Sequence, residues 1–285
     1  MSKKPNIISM INHKGGVAKT TSTLNIASFL ALARQNVLVV DMDPQANTSA
    51  TFLNNEDLSG SKTILSLLDQ TLSAKLTNKD KTKLKLEKYI RTIELELDEK
   101  PTLDLIPASF ELREFSDKYS DNPNREKALK KTFLLSEEFL EKYDYILIDC
   151  PPSMNTLTQN AFIAADYLFV PVDSSGYAKD GLIHLIEAMG ELNKHYNNYS
   201  TQIIGIFFTN VLKNEISFRK QYDDLKEECG DILFKTVVRK NTKLRESPIK
   251  YKTILEYAPQ SNGYKDYYDL TIELVEKIHE REASF

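Results

Sequence analysis

Tryptophan is absent from this 285-residue chain, and cysteine nearly so. Cys150 and Cys229 stand far apart, without metal or redox spacing. That excludes a disulfide framework, a thiolate zinc centre and a paired-cysteine iron–sulfur site, and it fits a reduced cytoplasmic setting. No apolar stretch is long enough to span a bilayer. Basic residues number 37 against 41 acidic ones, a formal net charge of −4. The chain therefore has no overall positive field, and any nucleic-acid contact must come from a local patch. Internal repeats and low-complexity tracts are also missing. The N-terminal Met-Ser-Lys-Lys-Pro-Asn runs straight into an apolar segment. The expectation is that no signal peptide or separate DNA-reading domain precedes the first strand.

What is present is concentrated at the start. Ile7–Ile11 is a short apolar run that leads into Asn12-His13-Lys14-Gly15-Gly16-Val17-Ala18-Lys19-Thr20-Thr21. Leu24, Ile26, Ala27, Phe29, Leu30 and Leu32 then recur with helical spacing. Strand, glycine-bearing loop, Lys-Thr and helix form the layout that holds a nucleoside triphosphate. Backbone N–H groups of Gly15, Gly16, Val17, Ala18, Lys19, Thr20 and Thr21 can wrap phosphates. Lys19 can reach the β- and γ-oxygens, and the Thr20 hydroxyl can ligate Mg²⁺. Ala18 stands where glycine is common, so it is expected to have ordinary φ and room for one methyl.

Two further segments carry carboxylates at strand ends. Val37–Val40 runs into Asp41-Met42-Asp43-Pro44-Gln45, and Tyr145–Ile148 runs into Asp149-Cys150-Pro151-Pro152. Asp41 and Asp43, two residues apart, point the same way while strand geometry lasts. Beside a triphosphate they could organise Mg²⁺ or the attacking water. Asp149 after an apolar strand is a metal-holding layout, often through water. The two prolines that follow stiffen their loop.

Strands are also expected at Leu103–Ile106, Tyr167–Val172, Ile203–Phe208 and Ile232–Val238, all dense in Ile, Leu, Val and Phe. Helices are expected at Arg125–Lys142 and Leu182–Tyr196. This alternation predicts an α/β fold with a doubly wound, mostly parallel sheet flanked by helices, in which ligands sit at the carboxyl ends of the strands. One domain over 1–285 is expected. Its least regular part is an elaborated connection at about 54–100, with short helices at Ser66–Leu72 and Lys83–Ile90 and no strong strand.

The lysine at position 14, ahead of Gly15-Gly16, resembles the deviant Walker A box of the ParA/MinD family of P-loop ATPases. Asp41-Met42-Asp43-Pro44-Gln45 resembles that family's switch I, and Asp149 through Pro152 its switch II. Tyr167–Val172 with Tyr177–Leu182 is similar to the segment after switch II in ParA proteins. Val237–Tyr251 is similar to their Pro-Arg-Asn-x-x-Leu-x-Glu-Ala-Pro-Ser stretch, with Ser247 in place of alanine.

The resemblance implies a partition ATPase of the Soj type, with ATP and Mg²⁺ as cofactors, for plasmid or chromosome DNA. It implies catalytic roles for Lys14, Lys19 and Asp43, the last positioning the hydrolytic water. Thr20 and Asp149 would serve the metal, Asp41 would support that shell, and Asn210 would lie near the adenine. It further implies an ATP-dependent homodimer in which Lys14 crosses to the partner's nucleotide. The dimer would bind DNA non-specifically, and a ParB-type centromere-binding protein would stimulate slow hydrolysis. A nucleoid-associated place in the cytoplasm follows. A ParA-like positioner of a protein cargo shares these parts. An ATP-dependent small-molecule enzyme of the same superfamily is disfavoured by Lys14 and by the basic stretch described next.

Arg239, Lys240, Lys243, Arg245, Lys250 and Lys252 crowd one short run that holds a single acid, Glu246. With Arg219 and Lys220 they are the expected DNA-backbone contacts. Tyr264–Glu282 is an amphipathic helix expected to pack through Tyr268, Ile272, Val275 and Ile278. Its polar side carries Asp266, Asp269, Glu273, Glu276, Glu280 and Glu282. An acidic face is repelled by anionic lipid, so no membrane partner is expected.

Overall fold

In the computed structural model, the residues described are 4–56, 58, 62–73, 84–174, 178–195 and 201–283. The strands are β1 (Asn6–Met10), β2 (Val37–Asp41), β3 (Arg91–Glu94), β4 (Thr102–Ile106), β5 (Tyr145–Asp149), β6 (Tyr167–Asp173) and β7 (Gln202–Thr209). They form one seven-stranded sheet in the order β3-β4-β2-β5-β1-β6-β7. Every pair is parallel except β3 with β4. The helices in the first half are α1 (Lys19–Leu32), α2 (Asn47–Phe52), α3 (Ile64–Ser73), α4 (Phe115–Lys118), α5 (Ala128–Leu135) and α6 (Glu137–Leu140). Those in the second half are α7 (Thr156–Ala164), α8 (Ala178–His195), α9 (Ile216–Cys229), α10 (Thr242–Glu246), α11 (Ile254–Tyr257) and α12 (Asn262–Glu282).

Alternate strand residues enter opposite cores, which is why these runs are apolar throughout. Ile7, Leu38, Val40, Ile146 and Ile148 pack with α3, α5 and α7. Ile8, Met10, Val39 and Leu147 pack with α1 and α12. The register sets Met10 level with Asp149, and Asp41 level with Asp149. Three strand ends thus meet at one edge of the sheet, and the loops that follow them converge there.

Several expectations change. The connection at 54–100 does contain a strand, β3, in which only Ile93 is buried. Its charged, outward residues are those of an antiparallel edge strand, and they hid it. In the same region Leu86–Tyr89 forms a 3₁₀ turn, and Lys83 lies outside the described residues. The span Arg125–Lys142 is broken into a 3₁₀ turn, α5 and α6. The buried Asn160 side chain accepts from Leu129 N and donates to the Arg125 carbonyl, taking backbone groups a continuous helix would need. Of the predicted helix at 182–196, Tyr196 lies outside the described residues, as does Tyr177.

Ile232–Val238 is not a strand. It follows the β7 edge through isolated bridges at Leu233 and Arg239. Glu273 on α12 accepts from Lys235 N and Thr236 N at 2.7 and 2.9 Å, so these amides leave the ladder. Finally, α12 buries Tyr267, Leu270 and Leu274 together with the expected Ile278, and the expected Val275 is partly buried, while Tyr268 and Ile272 stay exposed. Asp266, placed on the polar side by the sequence, is buried. No described helix is long and apolar enough to cross a membrane.

Gly205 in β7 lets the Phe234 ring lie flat on the strand; a Cβ there would come within 2.0 Å of that ring. Phe234 is fully buried and packs, tilted, against Phe169 at 4.9 Å, so it has little room to retreat. Gly205→Ala is expected to destabilise the fold by about 2–3 kcal/mol, measured by urea unfolding.

Candidate active site

Residues 11–18 join β1 to α1 and are held by side chains of β6 and β7. Asn12 Nδ2 donates to the Pro171 carbonyl at 2.7 Å, and its Oδ1 accepts from Lys14 N. Thr209 Oγ1 donates to the Val17 carbonyl, and Asn210 Nδ2 donates to the Gly16 carbonyl. Gly16 (φ 79°) and Ala18 (φ 65°) are both left-handed. The expectation of ordinary φ at Ala18 is therefore wrong. Tight closure onto the α1 N-terminus demands this conformation, and alanine tolerates it at a strain of about 1–2 kcal/mol. Ala46, which opens α2 beside the same site, does likewise at φ 52°.

The α1 N-terminus has no capping side chain and no acid in its first turn. Its amides are open to an anion. Lys19 is buried and folds back on the loop, donating to the Asn12 and Lys14 carbonyls at 2.8 and 2.9 Å. Burial lowers its pKa, against the raising influence of Cys150, Asp149 and Asp43.

Asp149 gathers three elements. It accepts from Thr20 Oγ1 at 2.8 Å, from Thr48 Oγ1 at 2.7 Å and from Thr23 Oγ1 at 3.4 Å. Asp41 beside it is fully buried and organises the next loop, accepting from Asp43 N and from both Ser49 N and Ser49 Oγ. Burial foremost, then the Asp149 charge, pushes Asp41 up to about 7; burial likewise pushes Asp149 up to about 6. Asp41 thus shapes the loop from behind, whereas Asp43 reaches the cleft wall. Sequence reasoning missed Thr48, Ser49, Asn12 and Asp173. Only the nearness of Thr48-Ser49 to the Asp41–Gln45 motif pointed to the first two.

These parts border an open cleft of about 550 Å³, lined by Gly15, Gly16, Ala18, Lys19, Thr20, Thr21, Asp43, Gln45, Asn47, Pro152, Asn210, Lys240 and Arg245. That volume suits a nucleotide. Thr20, Thr48 and Asp149 present hard oxygen donors only, which fits Mg²⁺ and not a soft metal. Among the described residues no cluster of three His, Cys, Asp or Glu side chains forms a complete metal cage.

The family model described as an AAA domain matches residues 5–203. Over 269 residues the chain is 33% identical to the sporulation initiation inhibitor protein Soj of Bacillus subtilis, covering 94% of this chain and 97% of that protein. The chain belongs to the Soj/ParA family. It is also 32% identical to the chromosome-partitioning ATPase Soj of Treponema pallidum, over 95% of this chain and 97% of that one. Among solved structures, the ATP complex of a Cyanothece McdA variant superposes with a TM-score of 0.78 at 19% identity, covering 97% of each chain, and shares the fold.

In this Soj/ParA member the basic run divides. Arg239 forks onto Asp266, with Nε at 2.9–3.0 Å and Nη2 at 2.6 Å, so its charge is spent inside the protein. Lys243 pairs with Glu246 at 2.8 Å, and Lys252 with Glu96 at 2.7 Å. Lys240 and Arg245 face the cleft. Lys250 lies exposed on the turn after Pro248, and Arg219 and Lys220 lie exposed on α9. Three of the expected DNA contacts are thus held in ion pairs, two line the cleft and three lie exposed elsewhere.

Two outcomes follow from this geometry. Ala18→Gly relieves the left-handed alanine and should stabilise the nucleotide-free protein by about 1 kcal/mol in thermal unfolding. The buried carboxyls retain protons that the unfolded chain releases above about pH 4. In chelator, wild type should therefore lose thermal stability relative to Asp41→Asn as pH rises from about 4 to about 7.

Proposed function

We propose that this Soj/ParA family member is an ATP-dependent DNA-partitioning ATPase that works as a nucleotide-driven dimer. The observation that supports this best is Lys14, a second lysine in the loop just ahead of Gly15, in a chain alike to Soj proteins over nearly its full length. ATP sits with its phosphates on the Gly15–Thr21 amides, and Lys19 swings from the Asn12 and Lys14 carbonyls onto the β/γ oxygens. Mg²⁺, when bound, would neutralise phosphate charge there. Thr20 and Asp149 hold its shell. Asp43 Oδ1 accepts from Gln45 N at 2.9 Å. Its other oxygen accepts no hydrogen bond among the described residues and can orient the attacking water.

Lys14 is the part that requires a second copy. Its Nζ pairs with Asp173 in its own chain at 2.8 and 2.9 Å, with a third of the side chain exposed. On dimerisation Lys14 exchanges Asp173 for the neighbour's γ-phosphate, supplying a cation in trans as the phosphoryl charge develops. The switch loops after β2 and β5 then report the state of the γ-phosphate to the DNA-binding surface, where Lys250, Arg219 and Lys220 offer backbone contacts. A ParB-type partner would stimulate turnover and release the dimer.

Measuring ATP turnover and DNA mobility together tests the reading. ATP should induce salt-sensitive DNA binding, and turnover should be slow until DNA and partner are added. Fast hydrolysis independent of both would contradict it. Lys14→Ala should keep nucleotide binding within a few-fold yet lose hydrolysis by about 100-fold or more.

A further inference from the structure

Of the cations between positions 239 and 252, three are already paired: Arg239 with Asp266, Lys243 with Glu246 and Lys252 with Glu96. Lys240 and Arg245 differ. Both are exposed, neither has an ion pair among the described residues, and both wall the same cleft as the Gly15–Thr21 loop.

Their placement is built in. Lys240 N donates to the Val211 carbonyl at 2.9 Å, and the neighbouring Asn210 holds the Gly16 carbonyl, so this wall is tied to the phosphate loop through two residues. Asn241 caps α10 by accepting from Lys243 N. Leu244 is buried against Gly263, where a Cβ would come within 2.8 Å of Leu244 Cγ. With Leu244 locked on α12, the rotation of α10 is set and the next residue, Arg245, is presented to the cleft.

We infer that Arg245 is a nucleotide-gripping residue rather than a DNA contact. Its guanidinium forks onto non-bridging phosphate oxygens of the nucleotide seated on the Gly15–Thr21 loop, and Lys240 adds a second cation. This rests on the ATP site proposed above. Two arguments favour a nucleotide. A concave cleft of about 550 Å³ matches a small ligand and cannot admit a duplex. Cations facing the phosphate loop across open space complement a polyanion lying between them, and a planar fork on phosphate is the strongest pairing available to arginine.

The test titrates fluorescent ATP and ADP analogues against wild type, Arg245→Ser, Arg245→Lys and Lys243→Ser, with Lys19→Ala as the site control. Arg245 and Lys243 are exposed, so their variants should keep the wild-type thermal midpoint. Arg245→Ser should weaken both nucleotides about fivefold to twentyfold and flatten the salt dependence of binding. Arg245→Lys should recover only part of the loss, and Lys243→Ser should stay within twofold. At saturating nucleotide, DNA mobility with Arg245→Ser should match wild type within twofold. Unchanged nucleotide affinity in Arg245→Ser, with affinity lost in Lys19→Ala, overturns the inference and leaves the ATP site standing. Unchanged affinity in both overturns both. Unchanged nucleotide affinity with weakened DNA binding returns Arg245 to the DNA surface.

Discussion

The Asp149 carboxylate is the point on which the site depends. It is wholly buried at the end of a central strand, and burying a carboxylate is costly unless its oxygens are satisfied. Thr20 from the phosphate loop's helix and Thr48 from the helix after β2 both donate to it. One anion therefore holds together two loops that are distant in sequence. Asp41, level with it on the next strand, intensifies the demand for donors, and Ser49 and the Asp43 amide answer. On the ATP site proposed above, a cation bound beside these two carboxylates would couple loop position to the ligand through charge.

The far wall is governed by pairing rather than by composition. Asp266 captures Arg239, Glu96 captures Lys252, and Glu273 takes two backbone amides of the segment between β7 and α10. These acids all come from elements remote in the chain. They decide which cations remain available and where those cations face. The same logic applies to the loop lysine, where Asp173 holds Lys14 in the single protomer.

Much of the site was legible because its determinants are local. Strand, loop, Lys19-Thr20 and helix follow each other without a gap, and a carboxylate at a strand end needs only the strand before it to be placed. Segments whose state depends on distant partners were misread. Ile232–Val238 has strand composition, yet the Glu273 carboxylate removes its amides from the ladder. Arg91–Glu94 has the charge of a loop, yet β4 offers it an edge. On α12 two apolar stripes compete, and only packing against α1 and β7 selects Tyr267, Leu270, Leu274 and Ile278. Ala18 carries no mark of its left-handed backbone, because loop closure, not side-chain preference, imposes it.

The chain by itself determined the α/β class, the parallel pairing implied by its uniformly apolar runs, and the loop between β1 and α1 with the acidic ends of β2 and β5. Those properties follow from hydrophobic periodicity and from residues adjacent in sequence. Only the tertiary structure decided which face of the last helix is buried, that Asp41 works from behind the loop, and how the basic run divides between salt bridges, surface and cleft. The reason is that charge pairing acts through space: an acid 27 residues away, such as Asp266 for Arg239, spends a cation that local sequence leaves looking free.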